Sequence, residues 1–368
     1  MKKIHRIVIT GGPCAGKTTA FARIKSELSE KGYKVFVVSE TFTDMFEGGI
    51  KLLDYPSLDF QSMLLRQQIA KEEMYYNAAI KHKNNKIVIL YDRGVLDPIA
   101  YMDSDIASLM LELGGYKINE LKARYDAVIH LVTAAEGAKE AFLANRANNT
   151  ARYENVEQAI EADKKLLAVW TGHSHLRVID NSTDFDRKIT RLMEEIYSIL
   201  GIPTPLEIER KFLIEMPDIK MLISKFNVSS SDIVQTYLCD NGGGYERRIR
   251  QRGKAGDYNY YYTEKRRISE SVRLENERLI TEKEYLELLM QSDFTKKQIR
   301  KTRYCFVWNN QYFELDVYPF WEDVAILEIE LTHEETKIGI PTFLNVIREV
   351  TKDTSYSNFS LASKIVVS

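Results

Sequence analysis

Gly11-Gly12-Pro13-Cys14-Ala15-Gly16-Lys17-Thr18 has the spacing G-x-x-x-x-G-K-T. Glycines at those positions allow a tight turn whose backbone N–H groups converge on an anion, and a helix starting there adds partial positive charge. In such a loop Lys17 reaches the β- and γ-phosphates of a nucleotide. The Thr18 hydroxyl ligates Mg²⁺, and Thr19 extends the same cradle. The order of elements fits this chemistry. Ile7-Val8-Ile9 makes a short buried strand ahead of the loop, and Ala20, Phe21, Ile24 and Leu28 give a helical stripe that stops at Gly32.

Further reactive residues stand just after apolar runs. Glu40 follows Val35–Val38, Asp92-Arg93-Gly94 follows Ile87–Leu90, and Asn181-Ser182-Thr183 follows Val178-Ile179, with Ala127–Ile129 as one more run. Helical patterns separate these runs, so residues 1–203 predict an α/β domain, a parallel sheet with helices on both faces. Ligands of such sheets bind at the carboxyl ends of the strands. There Asp92 can hold Mg²⁺ or its water shell, Arg93 can neutralise a transferring phosphoryl group, and Glu40 can accept a proton from an attacking hydroxyl. Asp97 and Tyr101 are candidates for an acceptor pocket. Arg146 and Arg152, in the polar stretch 133–175, occupy the position of a lid over the phosphates.

Gly201-Ile202-Pro203-Thr204-Pro205 cannot be helical, and the pattern changes after it. From residue 204 charged residues recur at alternate positions: Glu207, Glu209 and Lys211; Arg248, Arg250 and Arg252; Thr263 and Lys265; Arg273, Glu275 and Glu277; Lys301 and Arg303; Glu314 and Asp316; Glu328 and Glu330. With Gln235 and Tyr237 these make eight candidate strands. Solvated sheet faces mix Lys, Thr and Ser, whereas here Arg and Glu hold one parity in run after run. The expected second domain, 204–368, is therefore an α+β eight-stranded antiparallel tunnel barrel. Its charged parity points inward, and helices over 281–291 and 340–349 cover the outside. An interior so charged must bind something ionic, because unpaired buried charge is prohibitive.

Composition narrows the class. At 368 residues the chain suits two cores, and its formal net charge of -2 gives no whole-protein footprint for specific nucleic-acid binding. The three scattered cysteines exclude a disulfide framework or a zinc site. The apolar run after Met1-Lys2-Lys3 is too short for a signal peptide and no segment reaches transmembrane length, so a cytoplasmic protein is expected.

Two resemblances sharpen this reading. G-G-P-C-A-G-K-T-T, S-E-T and Y-D-R-G-V-L-D-P-I-A-Y resemble the nucleoside-kinase-like P-loop group that includes the ribosylnicotinamide kinase domain, over residues 3–200. That resemblance implies ATP or GTP as ligand; the acceptor does not carry over, and no guanine-reading N/T-K-x-D motif is present. E-x-E-x-K at 207–211, followed by R-x-R, T-x-K, R-x-E-x-E, K-x-R and E-x-E, is similar to the CYTH, or triphosphate tunnel metalloenzyme, superfamily. The superfamily implies that Arg248, Arg250, Lys265, Arg273, Lys301 and Arg303 grip an inorganic or organic triphosphate. It implies that Glu207, Glu209, Glu275, Glu277, Glu328 and Glu330 hold Mg²⁺ or Mn²⁺, with Lys211 among the catalytic groups. The expected function is a phosphotransferase fused to a metal-dependent triphosphatase. The order of the halves also resembles the TRPL translocation defect proteins, which implies an alternative: a nucleotide-dependent module capturing an anionic phosphate ligand such as phosphatidic acid. CYTH-type adenylate cyclase activity is the other alternative.

Overall fold

The structure is a computed structural model and describes residues 2–147, 155–202, 208–240, 245–267, 273–333 and 335–364, with backbone alone at 145–147, 266–267, 273–275 and 364. The chain divides into two compact units, Met1–Glu195 and Ile196–Ser368. Among the described residues no helix is long and apolar enough to cross a membrane.

The front unit runs β1 (Lys3–Thr10), α1 (Lys17–Glu30), β2 (Lys34–Val38), α2 (Thr41–Glu47), α3 (Ser57–Lys81), β3 (Lys86–Asp92), α4 (Ser104–Gly114), α5 (Ile118–Lys122), β4 (Ala127–Leu131), α6 (Lys139–Ala147), α7 (Val156–Trp170), β5 (Leu176–Ile179) and α8 (Phe185–Leu200), the division between the units falling inside α8. Its five strands form a parallel sheet in the order β2-β3-β1-β4-β5. Ile7, Val8 and Ile9 of β1, Ile87 to Leu90 of β3, and Ala127, Val128 and Ile129 of β4 are all fully buried. Such continuous apolar runs are what a sheet covered on both faces demands. The order reverses at β1, which leaves a crevice at the carboxyl ends of β1, β3 and β4.

The second unit runs β6 (Ile208–Glu215), α9 (Ile219–Lys225), β7 (Ser229–Tyr237), β8 (Glu246–Lys254), β9 (Asp257–Arg267), β10 (Arg273–Ile280), α10 (Glu282–Leu289), β11 (Ile299–Trp308), β12 (Gln311–Val317), β13 (Val324–Leu331), β14 (Val346–Glu349) and α11 (Asn358–Lys364). Nine antiparallel strands form one sheet in the order β10-β9-β8-β7-β11-β12-β13-β6-β14. The expected count of eight is corrected by β14, which lies where the sequence pattern suggested a covering helix over 340–349. Pro341 interrupts helical hydrogen bonding there, and Val346, Arg348 and Glu349 instead pair along the edge of β6, with an irregularity at Ile347. The expected helix over 281–291 is present as α10.

The sheet curls strongly. Among the described residues its two edge strands do not pair, so it is a curled sheet and not a closed barrel. Yet Lys265 on β9 acts electrostatically on Glu209 on β6, six places away in strand order. Closer in the sheet, Arg250 on β8 reaches Glu277 on β10 across β9. The outer parity is apolar: Phe212, Ile214, Phe306, Phe313, Leu315, Leu327 and Ile329 pack with Leu222 of α9, while Ile249, Tyr262 and Ile280 pack with Tyr285 of α10. At one end the inner parity is apolar too. Leu213, Tyr237, Ile299 and Ile326 pack under Leu361 and Ala362 of α11, which plugs that end of the interior.

Candidate functional sites

In the front unit the loop between β1 and α1 is shaped by close approach. Gly11 has φ 137° and passes so near β4 that a Cβ would fall 2.0 Å from the Leu131 carbonyl oxygen. Gly16 has φ 93° and carries the ring of Phe185 where a Cβ would be. Both positions require glycine. Lys17 folds back and donates to the carbonyls of Gly11 (3.0 Å) and Gly12 (3.4 Å). Burial, with Arg93 nearby, lowers its ammonium to about 8. Thr18 and Thr19 are exposed on the first turn of α1.

The pairing of β1 with β3 sets Ile9 opposite Asp92, so the Asp92-Arg93 turn lies beside the loop. Arg93 has φ 76°, a strained conformation held from several sides. Its Nε donates to Glu40 (3.1 Å), its Nη1 stands 3.6 Å from Asp97, and its carbonyl accepts from Gln68 (3.2 Å). Asp97 is 3% exposed and also accepts from Thr10 (2.6 Å) and Trp170 (2.5 Å), so it anchors the turn and does not line an open acceptor pocket. Glu40, at the start of α2, accepts from Thr43 as well (2.7 Å). Burial alone would raise its carboxyl, but Arg93, Thr43 and Lys17 hold it below the ordinary value, which weakens it as a proton acceptor. Asp92 differs: burial raises its carboxyl, and its buried Oδ1 makes no hydrogen bond. A buried carboxylate oxygen without a donor beside a phosphate loop fits a divalent cation. Arg146 lies on α6 with its side chain outside the described residues, and Arg152 is outside them altogether.

Three groups at this site carry no motif in the sequence. Asp163 of α7 accepts from the Gly12 N–H (2.5 Å) and the Thr133 N–H (3.2 Å), and pairs with His130 Nε2 at 3.1 Å. Lys188 of α8 donates to the carbonyls of Ala15 (3.2 Å) and Val132 (2.7 Å) and to Asn181 (2.8 Å). These contacts fix the loop from below. Asp163 and Lys188 lie more than a hundred residues from the loop they hold, so local pattern gives no sign of them.

The interior of the second unit brings together most of the alternating charged residues. Lys301, Arg303, Arg248, Asp316 and Glu328 are all under a tenth exposed. Arg303 donates to Asp316 through two nitrogens (2.7 and 2.6 Å), to Glu328 (2.7 Å) and to Glu314, and Lys301 pairs with Asp316. Lys211 lies between two carboxylates, 2.5 Å from Glu328 and 3.1 Å from Glu209. Glu277 accepts from Arg250 and from Thr263 (2.8 Å). Burial would raise Glu328, but Lys211, Arg303 and Lys301 drive it well below the usual carboxylate range. Glu209 is pushed up instead, by burial and by the charge of Glu328. Two buried carboxylates that repel each other are a set a divalent cation would relieve.

The remaining members of the set divide. Glu330 stands opposite Glu209 in register. Arg273 and Glu275 are on β10 with side chains outside the described residues, and Glu207 lies outside them. Among the described residues no three His, Cys, Asp or Glu side chains converge as metal ligands. Asp316 and Glu314, the main partners of Arg303, were visible in the alternation but give no sign there of being its counter-ions. Arg252 is a further interior cation, within 4.0 Å of Cys305 Sγ.

Comparison with known proteins places similarities as follows. The inorganic triphosphatase NE1496 is 29% identical, covering 44% of this chain and 97% of its own at a TM-score of 0.30. The PH1819 protein from Pyrococcus horikoshii OT3 is 20% identical, over 34% and 80%, at 0.27. The putative adenylyl cyclase HpAC1 from Hippeastrum, whose structure is described as revealing a dominant triphosphatase activity, is 17% identical, over 34% and 80%, at 0.26. No curated protein matches the chain. The AAA domain model matches residues 6–188, and this segment is a P-loop-type domain.

Proposed function

We propose that the chain joins a nucleotide-binding phosphotransferase of the nucleoside-kinase type to a metal-dependent triphosphatase, with the functional boundary at residues 203/204. In the front unit ATP or GTP would lie on the loop 11–18, with Lys17 turned from the Gly11 and Gly12 carbonyls to the β- and γ-phosphates. Thr18 and Asp92 would hold Mg²⁺, which when bound would screen the phosphate oxygens. Arg93, aimed by Glu40 and Asp97, would neutralise charge on the transferring phosphoryl group.

One observation carries the reading of the second unit: buried cations and carboxylates from β6, β11, β12 and β13 meet on the inner face of the curled sheet. A network of this kind is costly in a purely structural role, since apolar residues would pack the same space at least as stably. It suits an ionic ligand. Arg248, Arg250, Lys265, Lys301 and Arg303 would bind the triphosphate by charge-assisted hydrogen bonds. Glu209 and Glu328, with Glu207, Glu275, Glu277 and Glu330, would supply oxygen ligands to Mg²⁺ or Mn²⁺, which when bound would polarise the phosphoryl group. Lys211 would screen the repulsion between the two central carboxylates. The test is phosphate release from tripolyphosphate and nucleoside triphosphates by the full chain, with and without divalent metal. Binding of phosphatidic acid without hydrolysis, or formation of cyclic AMP, would replace the triphosphatase reading.

A further inference from the structure

Lysines crowd one end of the parallel sheet. β1, β2 and β3 begin with Lys3, Lys34 and Lys86; Lys3 stands opposite Lys86 and Lys34 opposite Ile87. The turn leading into β2 adds Lys31, the last residue of α3 is Lys81, the turn leading into β3 adds Lys83, and Lys2 precedes β1. These segments are tied together, since Asn84 Nδ2 donates to the Gly32 carbonyl (3.1 Å) and the Lys3 N–H to that of Asn85 (2.8 Å). In residues 2–5, 29–36 and 79–87 the one acidic residue is Glu30. All seven lysines except the half-buried Lys2 are exposed.

Part of this charge answers the carbonyl ends of α1 and α3. Lys2 donates to the carbonyls of Ala79 (3.4 Å), Ile80 and His82 at the end of α3. Two helix ends carry together about one negative charge. With Glu30 also subtracted, about five positive charges remain, on a chain whose formal net charge is -2. Helix capping leaves most of the patch unexplained.

We propose that this lysine edge docks on an anionic lipid bilayer. Every cation in it is lysine, a hydrated point charge on a long flexible stem, which suits a diffuse field of headgroups; the planar fork that grips individual phosphates is absent from it. Nucleic acid fits less well. The nearby rings do not offer open stacking faces, because Lys34 covers Phe36 at 5.1 Å and Lys86 covers Tyr33 at 5.6 Å. The edge also lies at the opposite end of β1 from the phosphate loop, about 23 Å away at strand rise. Docking there leaves the nucleotide crevice open, and the inference does not depend on the reaction proposed above.

The experiment is flotation of the full chain with vesicles of phosphatidylcholine alone or with about a third phosphatidylserine. Binding to the anionic vesicles only, weakening from about 0.05 to 0.15 M salt, is expected. Each lysine near such a surface contributes about fivefold in affinity, so Lys34→Gln with Lys83→Gln and Lys86→Gln should lose about 100-fold. The same three lysines changed to arginine should bind as the wild type does, and nucleotide binding should be unchanged in both variants. No binding to anionic vesicles, or a glutamine variant within about threefold of wild type, overturns the proposal. So does loss of vesicle binding in Arg248→Ala with Arg250→Ala, which would assign headgroup capture to the second unit. Tighter binding of polyuridylate through the same lysines would make the edge a nucleic-acid surface and also overturn it.

Discussion

Replacing Arg303 by methionine keeps most of the side-chain volume and removes the cation on which two buried carboxylates and the half-buried Glu314 converge. Asp316 is 0% and Glu328 4% exposed, and Arg303 itself 8%. Lys301 still answers Asp316 and Lys211 still answers Glu328, but Glu314 loses the cation it pairs with and Asp316 keeps one cation of two. Breaking a buried ion pair from one side costs about 3–5 kcal/mol. At roughly 2–4 °C per kcal/mol for a unit of this size, the melting transition of the second unit should fall by about 10 °C at pH 8. The pH dependence follows from Glu328. Its carboxyl is held well below the usual value in the folded protein, so its contribution is present above the unfolded value of 4.5 and is lost as pH falls through the depressed one. The gap between wild type and Arg303→Met should therefore be widest above pH 4.5 and narrow below it. Differential scanning calorimetry of both full-length proteins across that range is the assay. A variant melting within about 2 °C of wild type at pH 8 would falsify the view that this interior is one coupled ionic network.

In the front unit, Lys17→Ala should weaken ATP or GTP binding by about 10- to 150-fold in titration calorimetry. Because burial lowers Lys17 to about 8, wild-type affinity should fall about fivefold between pH 8 and pH 9, with no such slope in the variant; an equal slope in both would assign the proton elsewhere. Asp163→Ala strips an acceptor from the Gly12 and Thr133 amides and should cost about 2–6 kcal/mol by chemical denaturation, with Asp163→Asn intermediate. Equal stability of all three proteins would remove Asp163 from the support of the loop. Glu72 of α3 is 2% exposed, bonded to Tyr125 and Arg124, and raised by burial to about 7. The stability it lends is complete below pH 4.5 and is lost as pH rises through 7, about 3 kcal/mol in all, so Glu72→Gln should flatten that part of the profile. An unchanged profile would mean that Glu72 titrates normally.

The phosphate loop and its sheet were legible because their causes are local. The run Ile7-Val8-Ile9, the glycines and Lys17 sit in one stretch of chain, and the buried strands announce themselves as unbroken apolar runs. The inward parity of the second unit was legible for the same reason, period two being a property of the strand itself. What the chain order conceals is partnership at a distance. Nothing near Gly12 points to Asp163, nothing near Arg303 says that Asp316 and Glu314 answer it, and nothing in Leu361-Ala362 says that they plug one end of the interior. The strand at 346–349 was missed because four residues carry little pattern, and its pairing with β6 decides its conformation.

The most direct test of the proposed chemistry is phosphate release from tripolyphosphate by the full-length protein, measured with Mg²⁺ or Mn²⁺ and again with a chelator, beside the variant carrying Arg248→Ala and Arg250→Ala. The account predicts release with metal, none with chelator, and in the variant a loss traceable to binding, since the charge-assisted contacts to the phosphates are gone. Release that persists in the chelator, or an arginine variant that hydrolyses and binds tripolyphosphate as the wild type does, would contradict it.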